Sequence, residues 1–155
     1  MPGPVRHQLA QINVARMLYP LTDPGMSGFV AQLDRINALA DRAPGFVWRL
    51  QDDSGNATGL RPFDDQMVIV NMSAWRSPEA LFDFVYRSAH NEVMRRRKAW
   101  FEKPTRAHMA LWWLPAGEIP SVAEGKARLE HLREHGPGPH AFTLKQPFPR
   151  PAAAA

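Results

Sequence analysis

The spacing of apolar and polar positions predicts strands and helices in alternation along the chain. Residues 8–17 alternate as in a strand, with Ala10, Ile12 and Val14 on one side and Leu9, Gln11, Asn13 and Ala15 on the other. Residues 66–75 and 108–114 are strand-like and apolar on nearly both sides, and residues 46–51 predict a shorter strand. Helical spacing predicts helices over 24–43, 79–101 and 121–135, and residues 142–144 predict a short edge strand.

Capping and turn residues mark where these helices begin and end. The predicted helix starts are Thr22-Asp23-Pro24, Ser77-Pro78-Glu79 and the capping box formed by Ser121 with Glu124. The predicted stops are Pro44-Gly45, Pro104 and Gly136-Pro137, and the polar stretch over residues 52–61 predicts a loop.

The order β-α-β-β-α-β, followed by a helix and a short strand, predicts an α+β domain of the ferredoxin-like type over residues 6–145. Residues 146–155 then form a Pro/Ala-rich tail that we expect to be poorly ordered. The strands around Val70 and Leu111 are apolar on both faces, although one face of such a sheet normally meets water. We therefore expect a second copy to cover that face, giving a homodimer of the dimeric α+β barrel kind.

Composition narrows the classes of function. The chain has 155 residues and no cysteine, which favours one domain and excludes disulfide frameworks and cysteine-based catalysis. It contains no apolar run long enough to span a membrane and no signal-peptide pattern, so we expect a soluble, cytoplasmic protein. The net charge is +4, but the basic run at residues 95–98 would point to all sides of a helix, so we expect no nucleic-acid partner.

The helix predicted over residues 79–101 carries the main candidates for chemistry. Arg96 projects into its apolar arc, while His90 and Arg97 fall on the border of that arc beside Tyr86. An arginine there needs an acceptor, either an internal partner such as Asp64 or Asp65, or the anionic group of a ligand. His90 is either a structural histidine at the border or a general acid or base in a pocket.

Large aromatic and amide side chains on the strands are candidates for ligand contacts. Trp48, Trp75 and Trp112 could stack on an aromatic ligand, although such residues more often fill a core or an interface. Asn13 and Asn71, with Ser73, are polar groups on inward-looking strands, so each is either a structural hydrogen-bonding group or a ligand contact.

Several motifs occur together in an order that is typical of one family. They are His7–Arg16, Pro44–Leu50, Val70–Trp75, Phe84–His90, Arg97–Phe101 and Leu111–Gly117. On these residues the chain resembles the domain-of-unknown-function family 3291, and the resemblance implies a dimeric α+β barrel. The run Ser73–Ser77 and the later Ser88-Ala89-His90 are also similar to haem-degrading proteins of the antibiotic-monooxygenase type, a likeness that implies His90 as an axial haem ligand.

Zinc chemistry is disfavoured. His131-Leu-Arg-Glu134-His135 fits a His-x-x-Glu-His pattern, but no acidic residue follows Glu134 to complete a zinc site, so we expect no metal.

Together these features predict a helix–sheet pocket for a hydrophobic, aromatic or polyketide-like small molecule. The chemistry implied is monooxygenase-like, cyclase or isomerase, with His90 as acid or base, Arg96 or Arg97 as anion anchor, and no cofactor required. Two alternatives stay open: a haem-binding protein that uses His90, and a non-catalytic ligand-binding or structural dimer.

Overall fold

The structure, a computed structural model, describes residues 6–51, 60–87 and 95–151. The strands are β1 (His7–Arg16), β2 (Phe46–Arg49), β3 (Val68–Trp75) and β4 (Met109–Pro115). The helices are α1 (Ser27–Arg42), α2 (Pro78–Arg87) and α3 (Val122–His135), and short 3-10 turns cover Pro24–Met26 and Arg97–Ala99. Within the described residues no helix is long and apolar enough to cross a membrane.

The four strands form one antiparallel sheet in the order β2-β3-β1-β4. This is the strand order of the split βαβ arrangement, so the predicted ferredoxin-like α+β fold is confirmed. In the central pair, Asn13 lies opposite Asn71 and Gln11 opposite Ser73. Because side chains alternate along a strand, these four polar residues share one face of the sheet.

Helices α1 and α2 cover the face that carries those polar residues, which we call the helix face. Leu9 and Leu111 of the sheet pack there with Ala40 of α1 and Leu81 of α2. At the β2 edge, Gly45 has φ +82°, and a Cβ on it would lie 2.5 Å from Ala80 Cβ. Glycine at this position therefore permits both the turn after α1 and the close approach of α2.

The opposite face of the sheet packs against α3 of the same chain. Leu129 and Leu132 are buried there with Ile12, Met72 and Trp112. We call this the α3 face. The sequence argument for a homodimer assumed that the chain had no element left to cover it, and that assumption is wrong. Two sheets cannot pack face to face where α3 already lies on β1 and β4.

Gly125 lets α3 approach the sheet closely. A Cβ at this position would lie 2.8 Å from Met72 Cε and 3.1 Å from Ile12 Cδ1. The absence of a side chain on Gly125 therefore brings the helix backbone down onto the sheet.

Two predicted elements differ from those observed. The sequence predicts a single helix over 79–101. In the structure α2 is described as far as Arg87, and residues 88–94 lie outside the described residues. Arg97–Ala99 is a 3-10 turn. Trp100, which follows this turn, packs with Met17 and Met26 in a separate small core. In place of the predicted strand over 142–144, Phe142 makes a single bridge to Leu111.

The described part of the tail packs on the domain, contrary to the expected disorder. Phe148 joins the helix-face core, and its carbonyl accepts a hydrogen bond from Trp113 Nε1 at 3.0 Å. Arg150 lies over the Trp113 ring and donates to the Arg76 carbonyl at 2.8 Å. These contacts extend the folded domain to about residue 150.

Candidate functional site

A cavity of about 250 Å³ lies between α1, α2 and the helix face of the sheet. Its walls are mainly apolar. They include Phe29, Leu33, Ile36, Leu81, Phe84 and Val85. The volume is below the ~300 Å³ at the low end of pockets for drug-sized ligands, so the cavity suits a ligand of one or two rings.

The floor of the cavity is a connected set of side-chain amides on β1 and β3. Gln11 Nε2 donates to Asn71 Oδ1 at 2.7 Å and to Ser73 Oγ at 2.8 Å. Asn13 Nδ2 donates to Gln11 Oε1 at 3.1 Å and to Asn71 Oδ1 at 3.2 Å. Gln11 is only 2% exposed, so its amide depends on these bonds to replace water.

Trp75 lies at the end of this floor nearest to α2. Its Nε1 donates to Ser73 Oγ at 2.8 Å, and its ring stacks on Phe84 with the centroids 5.2 Å apart. The hydrogen bond and the stacking hold the indole in one orientation against the cavity, as a fixed aromatic wall requires.

Charged residues in the described lining are all basic. Arg49 is paired with Asp41, with Nε 2.7 Å from Oδ1. Arg97 is half-buried, and its guanidinium makes no hydrogen bond or ion pair with any other described residue. No aspartate or glutamate belongs to the lining among the described residues.

His108 also belongs to the lining, near the positive charge of Arg97. Burial is the main reason that the pKa of His108 is lowered, and the nearby charges of Arg97 and Arg133 lower it further. His108 is therefore neutral at neutral pH and can accept a proton or a hydrogen bond.

The structure brings six of the predicted site residues to the cavity: Asn13, Asn71, Ser73, Trp75, Tyr86 and Arg97. The hydrogen bonds described above hold Asn13, Asn71, Ser73 and Trp75. Arg97 makes no such bond with a described residue, and Tyr86 is 47% exposed. Tyr86 packs on Phe82, with the ring centroids 4.7 Å apart.

The other predicted site residues are not brought together there. Trp48 and Trp112 lie on the α3 face, because the register puts Trp48 opposite Ala74 and Trp112 opposite Ala10. Their predicted ligand contact in this cavity is therefore not supported.

The predicted position of Arg96 on the apolar face of a helix is also wrong. It is exposed and immediately precedes the 3-10 turn, so the helical projection that buried it does not apply. Its proposed partner Asp65 binds Arg16 instead, at 2.6 Å. His90 lies outside the described residues.

Sequence reasoning missed two residues of the site. Gln11 joins the amides of the floor, and its place two residues before Asn13 on β1 was the available signal. His108 carried no local signal, because its place beside the cavity follows from the packing of β4 near Arg97.

The described residues contain no group of three or more His, Cys, Asp or Glu side chains that could hold a metal ion. The rings of His131 and His135 lie 4.5 Å apart at the end of α3. The two rings are tilted by 43° to each other, and neither belongs to the cavity lining.

A family model described as a domain of unknown function, DUF3291, matches residues 8–155. No functionally curated protein matches the chain. Similar solved structures include a protein of unknown function from Nitrosomonas europaea, with 12% identity and a TM-score of 0.47 over 75% of this chain and 97% of that one. A protein from Pseudomonas aeruginosa is 14% identical, with a TM-score of 0.46 over 76% of this chain and 100% of the other.

Proposed function

The chain belongs to the DUF3291 family, a domain of unknown function, as its sequence motifs suggested, and we propose that it binds a small aromatic anion in the helix–sheet cavity. The observation that carries the proposal is the half-buried Arg97, which lines an apolar cavity and makes no side-chain bond with another described residue. A cation removed from water is costly unless an acceptor satisfies it. A ligand carboxylate or phenolate would supply that acceptor.

The walls favour an aromatic ring as the rest of the ligand. Trp75 is held on Ser73 and stacked on Phe84. Phe29, which also lines the cavity, packs against Trp100 and Phe101. Flat rings gain most from such walls because aromatic pairs stabilise each other beyond the area they bury.

The direct test is calorimetric titration with 2-naphthoate and with its neutral counterpart 2-naphthamide. We expect naphthoate to bind and Arg97→Gln to weaken it about tenfold or more, the usual effect of losing a charged hydrogen bond. The matched control is Arg96→Gln. It removes the same charge from the neighbouring residue, whose side chain is exposed, so it should change the affinity for 2-naphthoate less than about twofold.

A second pair of variants locates the binding. Leu33→Trp fills the cavity from α1, whereas Asp34→Trp adds the same ring to an exposed position on the same helix. Binding should disappear in the first variant and persist in the second. The proposal would be contradicted if 2-naphthoate failed to bind at millimolar concentration, if neutral 2-naphthamide bound as tightly as 2-naphthoate, or if the two tryptophan variants bound 2-naphthoate equally.

The haem alternative fits this cavity poorly. The cavity volume of about 250 Å³ lies below the range of pockets that hold drug-sized ligands. A tetrapyrrole is larger than such ligands. Monooxygenase-like, cyclase or isomerase chemistry through His90 stays a prediction, because His90 lies outside the described residues.

A homodimer also stays a prediction. It would need a surface other than the one that α3 covers, and light scattering at micromolar concentration tests it.

A further inference from the structure

The amide floor leaves two polar atoms without a hydrogen-bond partner among the residues that the structure describes. Asn71 Oδ1 accepts from both Gln11 and Asn13, while Asn71 Nδ2 bonds no described residue. Asn13 Nδ2 donates to Gln11 and Asn71, while Asn13 Oδ1 likewise bonds none. The two neighbouring side chains therefore offer the cavity one donor and one acceptor.

This pairing does not depend on the direction in which the amides are turned. If all three amides rotate by half a turn, Gln11 donates to Asn13, and Asn71 donates to Gln11 and Asn13. Ser73 Oγ then donates to Gln11 while still accepting from Trp75, which can only donate. Every contact keeps a donor and an acceptor, and Asn13 and Asn71 exchange the roles that they present to the cavity.

We propose that this floor recognises the lactam edge of the ligand, an N–H beside a C=O, and that Asn13 and Asn71 are specificity-determining residues. The inference rests on the proposed function, since it names a second group on the same aromatic anion. Asn13 and Asn71 lie directly opposite each other in the β1–β3 register, so a group that satisfies both must present its donor and its acceptor on adjacent atoms.

Other polar groups match this pair less well. A carboxylate only accepts, so it would face the carbonyl oxygen of one asparagine, and an ammonium only donates, so it would face the NH₂ of the other. A single hydroxyl would have to serve both amides from one oxygen atom. The anionic group of the ligand is therefore expected at Arg97 and its neutral lactam at the floor.

The test compares two probes that differ by one methyl group. They are 2-oxo-1,2-dihydroquinoline-4-carboxylate, which has the N–H, and its N-methyl derivative, which lacks it; 2-naphthoate serves as the reference. We expect the N–H compound to bind about threefold to tenfold more tightly than the N-methyl compound, because the latter cannot donate to the acceptor that the asparagine pair presents.

Asn71→Asp tests the residue itself. This change keeps the shape of the side chain but removes the donor that the asparagine pair offers to the lactam C=O, while acceptors for the lactam N–H remain. The affinity of the N–H quinolone relative to that of 2-naphthoate should therefore fall. Asn37→Asp is the matched control, because Asn37 also lines the cavity but takes no part in the floor. The added charge weakens both anionic probes alike there, so their ratio should stay as in the unaltered protein.

The outcomes separate this inference from the proposed function. If naphthoate binds but the two quinolone probes bind equally, the lactam assignment is wrong and the anion site stands. If 6-hydroxy-2-naphthoate binds as tightly as the N–H quinolone, a hydroxyl satisfies the floor and the assignment is again wrong. If no probe binds, both proposals fail. The ratio of the affinities of the unaltered protein for the N–H and N-methyl quinolones tests the lactam assignment even if Asn71→Asp does not fold.

Discussion

Leu129→Ala tests whether α3 holds the second face of the sheet within a single chain. Leu129 is fully buried at the centre of the α3 face, among Ile12, Met72 and Trp112. Truncating a buried leucine to alanine costs about 2–5 kcal/mol, through the lost transfer free energy and the cavity left behind. At roughly 2–4 °C per kcal/mol for a chain of this size, a loss of about 3 kcal/mol lowers Tm by about 6–12 °C.

The assay is thermal unfolding followed by circular dichroism, with Glu130→Ala as the control. Glu130 is the next residue of α3 and is exposed, so its truncation should stay within about 0.5 kcal/mol of the unaltered protein. The contact lies within one chain, so the loss from Leu129→Ala should be the same across roughly a hundredfold range of protein concentration. Equal melting temperatures for the two variants would refute the packing of α3 on the sheet. A loss that changes with concentration would mean that a second copy covers this face.

Three further changes have expected outcomes that thermal or chemical unfolding can measure. Ser121→Ala removes the N-cap acceptor of the Glu124 N–H, so it should cost about 1 kcal/mol while Ser121→Thr restores most of it; an unchanged Tm would contradict this. Gly45→Ala forces a residue with a Cβ into a positive φ and against Ala80, so we expect a loss of about 1–3 kcal/mol, and a stabilised variant would show that reasoning to be wrong. The pKa of His108 is lowered in the folded chain, so its contribution to stability is complete above the unfolded pKa of about 6.5 and is lost as the pH falls below it. His108→Gln should therefore reduce the difference in Tm between about pH 7.5 and pH 5, and an unaltered difference would count against the role of burial.

Local sequence patterns predicted the order of strands and helices well. The predicted strand over 8–17 differs from β1 by one residue at each end, and the capping role of Ser121 is observed as a 3.0 Å hydrogen bond from the Glu124 N–H. These features depend on residues close together in the chain. Side-chain alternation and helix capping are consequences of backbone geometry that neighbouring residues decide.

The predictions that failed each needed information from distant residues. Arg96 was assigned to a buried face by extending one helical phase beyond Arg87, although a 3-10 turn follows at residues 97–99. Trp112 was chosen for the pocket without knowing which face of β4 meets the helices. Its register opposite Ala10 puts it beneath α3, and that register is set by pairing between strands far apart in sequence.

The amino-acid sequence by itself determined the elements, their order and the row of polar side chains on alternate positions of β1, because these follow from the period of each local structure. Tertiary structure alone decided that Gln11, Asn13 and Asn71 meet at the floor of a cavity and that α3 covers the other face. The physical reason is that the repeat of a strand or helix determines which residues share a face, but not what that face will contact. That contact depends on the strand register and on the competition among all apolar surfaces of the chain for burial.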